Sequence, residues 1–192
     1  MLITSKNVLT GVCSFAATDN TRPALASVRI TPTHFEATDS YRLVRVRHTR
    51  DDNAQDFEPF LLDATALAGV AKLSGKKEHI LIARREDGLV VCETNKSSTA
   101  PIQRTILEPV DATYPDFDTL VLAPRKPIAD EGPHFALSAP LAADTLKGLA
   151  QIAGTTIQVR FTIASPKEPI RIDFTTDEGH EGISLLMPVS MG

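Results

Sequence analysis

Three times along this chain, an alternating run of apolar and polar residues gives way to apolar positions at helical spacing and then returns to alternation. Residues 1–17 predict a short strand and then a helix, with Val8, Val12 and Phe15 on one face, Leu9 and Ala16 beside them, and Ser5 placed to cap the N-terminus. Residues 24–30 predict a strand with Val28 and Ile30 on one side and Arg29 on the other. Pro32 interrupts the run, and residues 35–38 predict a second short strand. Asp39-Ser40 is a turn pair, because short polar side chains bond to their own backbone. Residues 41–50 then alternate, with Val44, Val46 and His48 facing one way and Arg45, Arg47 and Thr49 the other. Arg45, Arg47 and Arg50 are expected to point outward or to pair with acids.

The order repeats. Residues 57–62 read as a strand, Asp63 as the cap of a helix over 64–73, and Gly75 as its stop. Strands at 79–83 and 89–94 flank a turn at Glu86-Asp87-Gly88, and 101–107 returns as a strand. Tyr114-Pro115-Asp116-Phe117 and a short run at 120–122 follow. Residues 123–133, APRKPIADEGP, carry three prolines and no periodicity, as a linker does. In the third unit, 134–137 is a short strand, Ser138 a cap, and Pro140 sits in a first turn. Leu141, Leu146, Leu149 and Ile152 mark a helix ending at Gly154. Strands at 157–163 and 170–175, a turn at 177–182 and a last strand at 183–191 complete the unit. Such repetition implies that one unit cannot cover its own apolar face.

Composition narrows the chemistry. The 192 residues include no Trp, so aliphatic side chains fill the core. No apolar run reaches membrane-spanning length, and the start lacks the pattern of a secretory signal, so a cytoplasmic protein without a membrane partner is expected. Cys13 and Cys92 read as reduced, buried small hydrophobes. The net charge is −4, whereas a protein that grips DNA through its phosphates is usually basic. Any DNA association is therefore weak, local or topological. There is no nucleophile elbow, P-loop or dinucleotide fingerprint, and His34, His48, His79 and His134 have no ligand spacing. The acidic loop Asp177-Glu178-Gly179-His180-Glu181 reads as a hairpin turn rather than a metal site. No cofactor, metal or catalytic residue is expected.

Four pieces in order, Arg22-Pro23-Ala24-Leu25, Ala37-Thr38-Asp39-Ser40-Tyr41-Arg42-Leu43, Tyr114-Pro115-Asp116-Phe117 and Leu185-Leu186-Met187-Pro188-Val189, resemble the bacterial DNA polymerase III β sliding clamps. The resemblance spans that family's second domain and the second half of its third. It implies an α+β DNA-clamp fold built of three strand–helix–strands repeats, with helices lining a ring and sheets outside. Residues 1–122 would form one clamp domain of two repeats, 123–133 a linker, and 134–192 a half domain completed by a second subunit. It further implies a non-enzymatic processivity factor, of phage or mobile-element kind, that encircles double-stranded DNA without sequence preference and tethers a DNA polymerase. Partners, polymerase and clamp loader, would dock short peptide tails on Leu25, Thr38, Ser40, Tyr41, Arg42, Leu43, Pro124, Leu185 and Met187. The leucines and Met187 read equally well as plain sheet core. Where many clamps carry Arg after the Met-Pro pair, this chain has Ser190. Lys6, Lys72, Lys76, Lys77 and Lys147, on or beside the three helices, are the DNA-facing candidates, against the ordinary reading as solvated lysines.

An odd unit exposes a strand edge and an apolar helix side, which a second copy can cover by a two-fold contact. Four chains of three units would supply twelve helices, the number in known clamp rings. Twelve helices at ~9–10 Å spacing leave a hole of about 26 Å, wide enough for a duplex, whereas nine leave roughly 18 Å. The expectation is a homotetramer of D2 symmetry with self-contacts of units three and of units one. The alternatives are a non-ring module that binds or blocks replication proteins through the peptide pocket, and an enzyme on a clamp-like scaffold.

Overall fold

The computed structural model describes residues 1–19, 21–50, 56–75, 78–118, 137–154, 159–165 and 168–189. The linker at 123–133, the strand at 120–122, Pro124, Lys76, Lys77, Met191 and most of the strand at 134–137 lie outside the described residues.

Each unit forms as its pattern dictates. In unit one, β1 (Leu2–Ser5) runs into α1 (Lys6–Cys13), whose cap Ser5 accepts a bond from the Val8 amide. Strands β2 (Ser27–Ile30), β3 (His34–Thr38), β4 (Arg42–Arg47) and β5 (Thr49–Arg50) follow. Unit two has β6 (Phe60–Asp63), α2 (Ala64–Leu73), β7 (His79–Arg84), β8 (Val90–Thr94) and β9 (Gln103–Leu107), and Asp63 caps α2 by accepting from the Ala66 amide at 2.7 Å. Unit three has α3 (Ala139–Ala153), β10 (Val159–Thr162), β11 (Ile170–Thr175) and β12 (Glu181–Leu186).

The departures from the expected boundaries are local. Residues 24–26 form a turn, tied by Leu25 N–H to the Arg22 carbonyl and by the Ser27 hydroxyl to the Pro23 carbonyl. The run at 41–50 is two strands, because the chain changes sheets at His48: β4 pairs with β3 and β5 with β1. Ser138 makes no side-chain cap bond, for Pro140 in the first turn removes one of the amides that such a cap uses.

Two antiparallel sheets result, ordered β5-β1-β7-β8-β9 and β10-β11-β12-β4-β3-β2-β6. Units one and two exchange their first strands. β1 lies beside β7 of unit two, with Ser5 opposite His79, and β6 lies beside β2 of unit one, with Asp63 opposite Ser27. Unit three joins differently. Its last strand β12 pairs with the last long strand of unit one, β4, with Leu185 opposite Leu43 and Ile183 opposite Arg45. The helices follow the same arrangement, α1 packing against both α2 and α3. Unit one is thus the middle of the molecule, although it comes first in sequence.

The contact between α1 and α3 is close. A Cβ added at Gly11 would lie 2.3 Å from Ile152 Cγ1 and 3.1 Å from the Gly148 carbonyl oxygen. One added at Gly148 would lie 2.6 Å from the Phe15 ring. The core behind this contact holds Leu9, Val12 and Phe15 of unit one with Leu149 and Ile152 of α3.

Gly11→Ala is expected to destabilise the fold by ~1–3 kcal/mol through overpacking, a fall of several degrees in a thermal melt. His48 supplies a second expectation. Its ring is buried against Phe35, its Nε2–H donates to the Thr31 carbonyl at 2.9 Å, and burial lowers its pKa from the ordinary value. The unfolded state therefore takes up the proton first, and stability falls as pH drops below the unfolded histidine value of about 6.5. Melts between pH 7 and pH 5 should show that loss, and His48→Gln should reduce it.

Candidate functional site

Where unit three meets unit one, the structure gathers most of the peptide-docking residues named from sequence. The β3–β4 turn is held by its own side chains. Asp39 Oδ1 accepts from the amides of Tyr41 and Arg42, the Thr38 hydroxyl donates to the Arg42 carbonyl, and Ser40 takes a left-handed conformation with φ of 82°. Ser40 Oγ also accepts a bond from Arg22. The Arg42 guanidinium bonds Asp39 Oδ2 and the Ser14 carbonyl and lies over the Phe15 ring at 5.0 Å. It is spent on fixing the turn to the end of α1.

Beside the turn, Met187 N–H donates to the Tyr41 carbonyl at 2.9 Å, which brings the end of β12 alongside. Leu43 and Leu185 face each other across the strands, with Thr38 opposite Leu43. These residues and Leu25 are buried, whereas Tyr41 is 62% exposed and Met187 and Val189 are also exposed. The geometry brings exposed Tyr41 and Met187 side by side next to the buried Leu43–Leu185 pair, with exposed Val189 two residues further on. Leu25 reaches this corner only through its turn, which carries Arg22 to Ser40.

Three of the candidate lysines lie on the helices. Lys6 Nζ donates to the Ser74 carbonyl at 3.1 Å, tying α1 to the C-terminal end of α2. Lys72 is exposed in the last turn of α2, and Lys147 is exposed on α3 beside Asp144 at 3.3 Å. Over the three helices there are three lysines and one aspartate, in a chain of net charge −4.

Sequence reasoning missed a third feature, on the outer face of the seven-stranded sheet. Glu36 is fully buried there, and Arg45, Arg29 and His34 converge on its carboxylate. Arg45 also bonds Asp118, and that bond holds the Asp118 carboxyl below its ordinary pKa. Tyr114 stacks its ring over Arg29 and against Phe117, and burial, with Glu36 nearby, pushes its phenol pKa upward. The Tyr-Pro-Asp-Phe segment therefore covers a charge cluster. The signal available in sequence was one acid at an outward strand position between two strands bearing outward arginines. An open groove continues past it, lined by Arg47, Arg160, Arg171 and Asp173. The loop at 177–181 is a hairpin turn, with Thr176 N–H bonded to the His180 carbonyl and Gly179 at φ of 82°. Among the described residues no three His, Cys, Asp or Glu side chains cluster as a metal site.

Helices side by side on one face, sheets behind them, and βαβββ units joined by strand exchange define the DNA-clamp fold. In particular, the chain has the fold of the bacterial DNA polymerase III β sliding clamps. It is similar to the Helicobacter pylori β clamp bound to a DNA ligase peptide, at 13% identity and a TM-score of 0.70 over 100% of this chain and 65% of that one. It is similar to the Pseudomonas aeruginosa sliding clamp bound to griselimycin, at 12% identity and 0.71 over 98% of this chain and 65% of that one. It is also similar to A. fulgidus PCNA bound to the C-terminal region of FEN-1, over the whole of both chains, at 11% identity and a TM-score of 0.61. The chain thus spans about two thirds of the length of the bacterial clamps it matches. No protein-family model matches the chain, and no curated protein sequence does.

Removing the buried carboxylate would strip Arg45 of its buried counter-charge and leave it only the exposed Asp118. Glu36→Ala is expected to cost ~3–5 kcal/mol, read as a lower denaturant midpoint, while Asp118→Ala, which breaks the exposed second pair of Arg45, costs about 1 kcal/mol or less.

Proposed function

We propose that this chain is a sliding clamp that closes as a homo-oligomer around duplex DNA and holds a polymerase there. The observation that carries the reading is the row α2-α1-α3, backed by sheets and bearing three lysines against one aspartate. A ring lined by such helices repels DNA little and grips it little, so retention comes from topology. No bond is made or broken. Lys72 and Lys147, and Lys76 and Lys77 beyond the described residues, meet phosphates; Lys6 contributes its charge while tied to Ser74.

The two junctions within the chain say how copies would join. The places beside β2 and β7 are each taken by the first strand of the other unit, whereas the place beside β10 has no strand among the described residues. A second copy's unit three completes that half domain by the same exchange. Because unit one lies in the middle, the expected contact between two copies of unit one is replaced by one between two copies of unit two. Alternating contacts of the two kinds close only with even numbers of chains, and four chains give the twelve-helix ring of D2 symmetry.

Peptide tails of a polymerase and a loader dock on the Tyr41, Met187 and Val189 platform, with Thr38, Ser40 and Arg42 shaping its rim over Leu25, Leu43 and Leu185, and Pro124 contributed from the linker. Ligase and FEN-1 peptides on the matched clamps support a peptide-docking role. The non-ring reading keeps this platform and lacks the hole.

Assembled at micromolar concentration with nicked circular DNA, the chain is expected to stay on the circle through a high-salt wash and to be lost when the circle is cut. Equal loss from circular and linear DNA selects the non-ring reading.

A further inference from the structure

The outer edge of the five-stranded sheet is β9. Among the described residues it has β8 on one side and nothing on the other. Its outward side chains are Arg104 and Ile106, 55% exposed, and just before it Ile102 is 61% exposed. Pro101 and Pro109 bound this stretch, and neither has an amide to extend a ladder. Two large exposed isoleucines on a short unpaired edge invite pairing with another chain.

The fold itself supplies a rule for which partner and which register. Ser27 and His79 hold equivalent places, each opposite the helix cap of the other unit. Two residues on, Arg29 faces Glu36, which faces Arg45; in unit two Leu81 faces Glu93, which faces Arg104. Arg104 is therefore the counterpart of Arg45. At the junction with unit three, Arg45 lies opposite Ile183, and the flanking rows mirror each other: Arg29 and Glu36 on one side, Asp173 and Arg160 on the other. The local two-fold axis passes between Arg45 and Ile183.

We propose that β9 pairs antiparallel with β9 of a second copy about the equivalent axis, at Arg104. In that register Ile102 of each chain lies opposite Ile106 of the other, so both exposed isoleucines are covered twice over by one contact. A two-fold axis normal to the sheet keeps outward residues opposite outward residues, which the pairing satisfies. The two Arg104 side chains meet at the axis, each already neutralised by Glu93 of its own chain at 2.7 Å. The partner is a second copy of this chain rather than a foreign peptide, because the sequence from 102 to 106 is complementary to itself in this register. The contact supplies the unit-two junction of the proposed ring and stands whether or not the ring holds DNA.

The test uses the full chain. Chains carrying Ile102→Cys and Ile106→Cys, co-produced with different tags, should form a disulfide between the two kinds under mild oxidation. Either variant alone should not, since like positions lie far apart in this register. In light scattering, Ile106→Asp should halve the mass of the wild-type assembly while leaving the circular dichroism of the chain unchanged. Crosslinking of Ile106→Cys alone, no crosslink in the mixture, or an unchanged mass for Ile106→Asp overturns the proposal. A crosslink in the mixture together with failure to stay on circular DNA rejects the clamp reading and leaves the β9 contact in place.

Discussion

The approach of α1 to α3 across Gly11 and Gly148 is the contact on which the rest of the molecule depends. Without it, unit three would keep the β12–β4 seam and the strand side chains that reach the common core, but its helix would have no partner in unit one. With it, Ile152 and Leu149 enter the same core as Leu9, Val12 and Phe15, and the junction becomes an interior rather than an edge. The same contact puts Phe15 under Arg42 and so fixes the turn that carries Tyr41. Helix packing, sheet continuity and the candidate docking platform are therefore one structure seen from three sides.

Polar groups do a different job on the opposite face of the sheet. A buried carboxylate between arginines adds little net stability compared with an apolar equivalent. It does select a register, because a slip of one strand would leave Glu36 without Arg45. Tyr114 and Phe117 close over the cluster, which explains why an aromatic-Pro-Asp-aromatic segment follows β9 with no regular structure of its own.

Much of this was legible from residue patterns. The caps Ser5 and Asp63, the helices at 64–73 and near 139–153, and the turns at Ser40, Gly88 and Gly179 follow from side-chain size, period and local hydrogen bonding, all of which are short-range. What short-range pattern cannot carry is which strand lies beside which. The exchange of β1 and β6 joins residues far apart in the chain, and the placement of unit one between the others follows from two edges meeting in space. The spatial order could not be read from the order of the repeats, and a contact between copies of unit one was expected for that reason. The platform was half legible: the turn residues and Met187 were found through wording, but burial of Leu25, Leu43 and Leu185 decides which of them a ligand can touch.

Placing at the centre a unit that is made before both of its neighbours has a consequence for biosynthesis. As the chain leaves the ribosome, units one and two can exchange strands and close on each other, but β4 has no neighbour on its outer side until β12 is made. That edge stays open until residues 181–186 have been made, beside a helix still lacking its second packing partner. Arg42 and Arg45 on β4 are already matched by Asp39 and Glu36 of the same unit, whereas exposed Arg47 puts a positive charge at the end of the waiting edge. That charge would discourage two nascent chains from pairing there before the proper strand arrives.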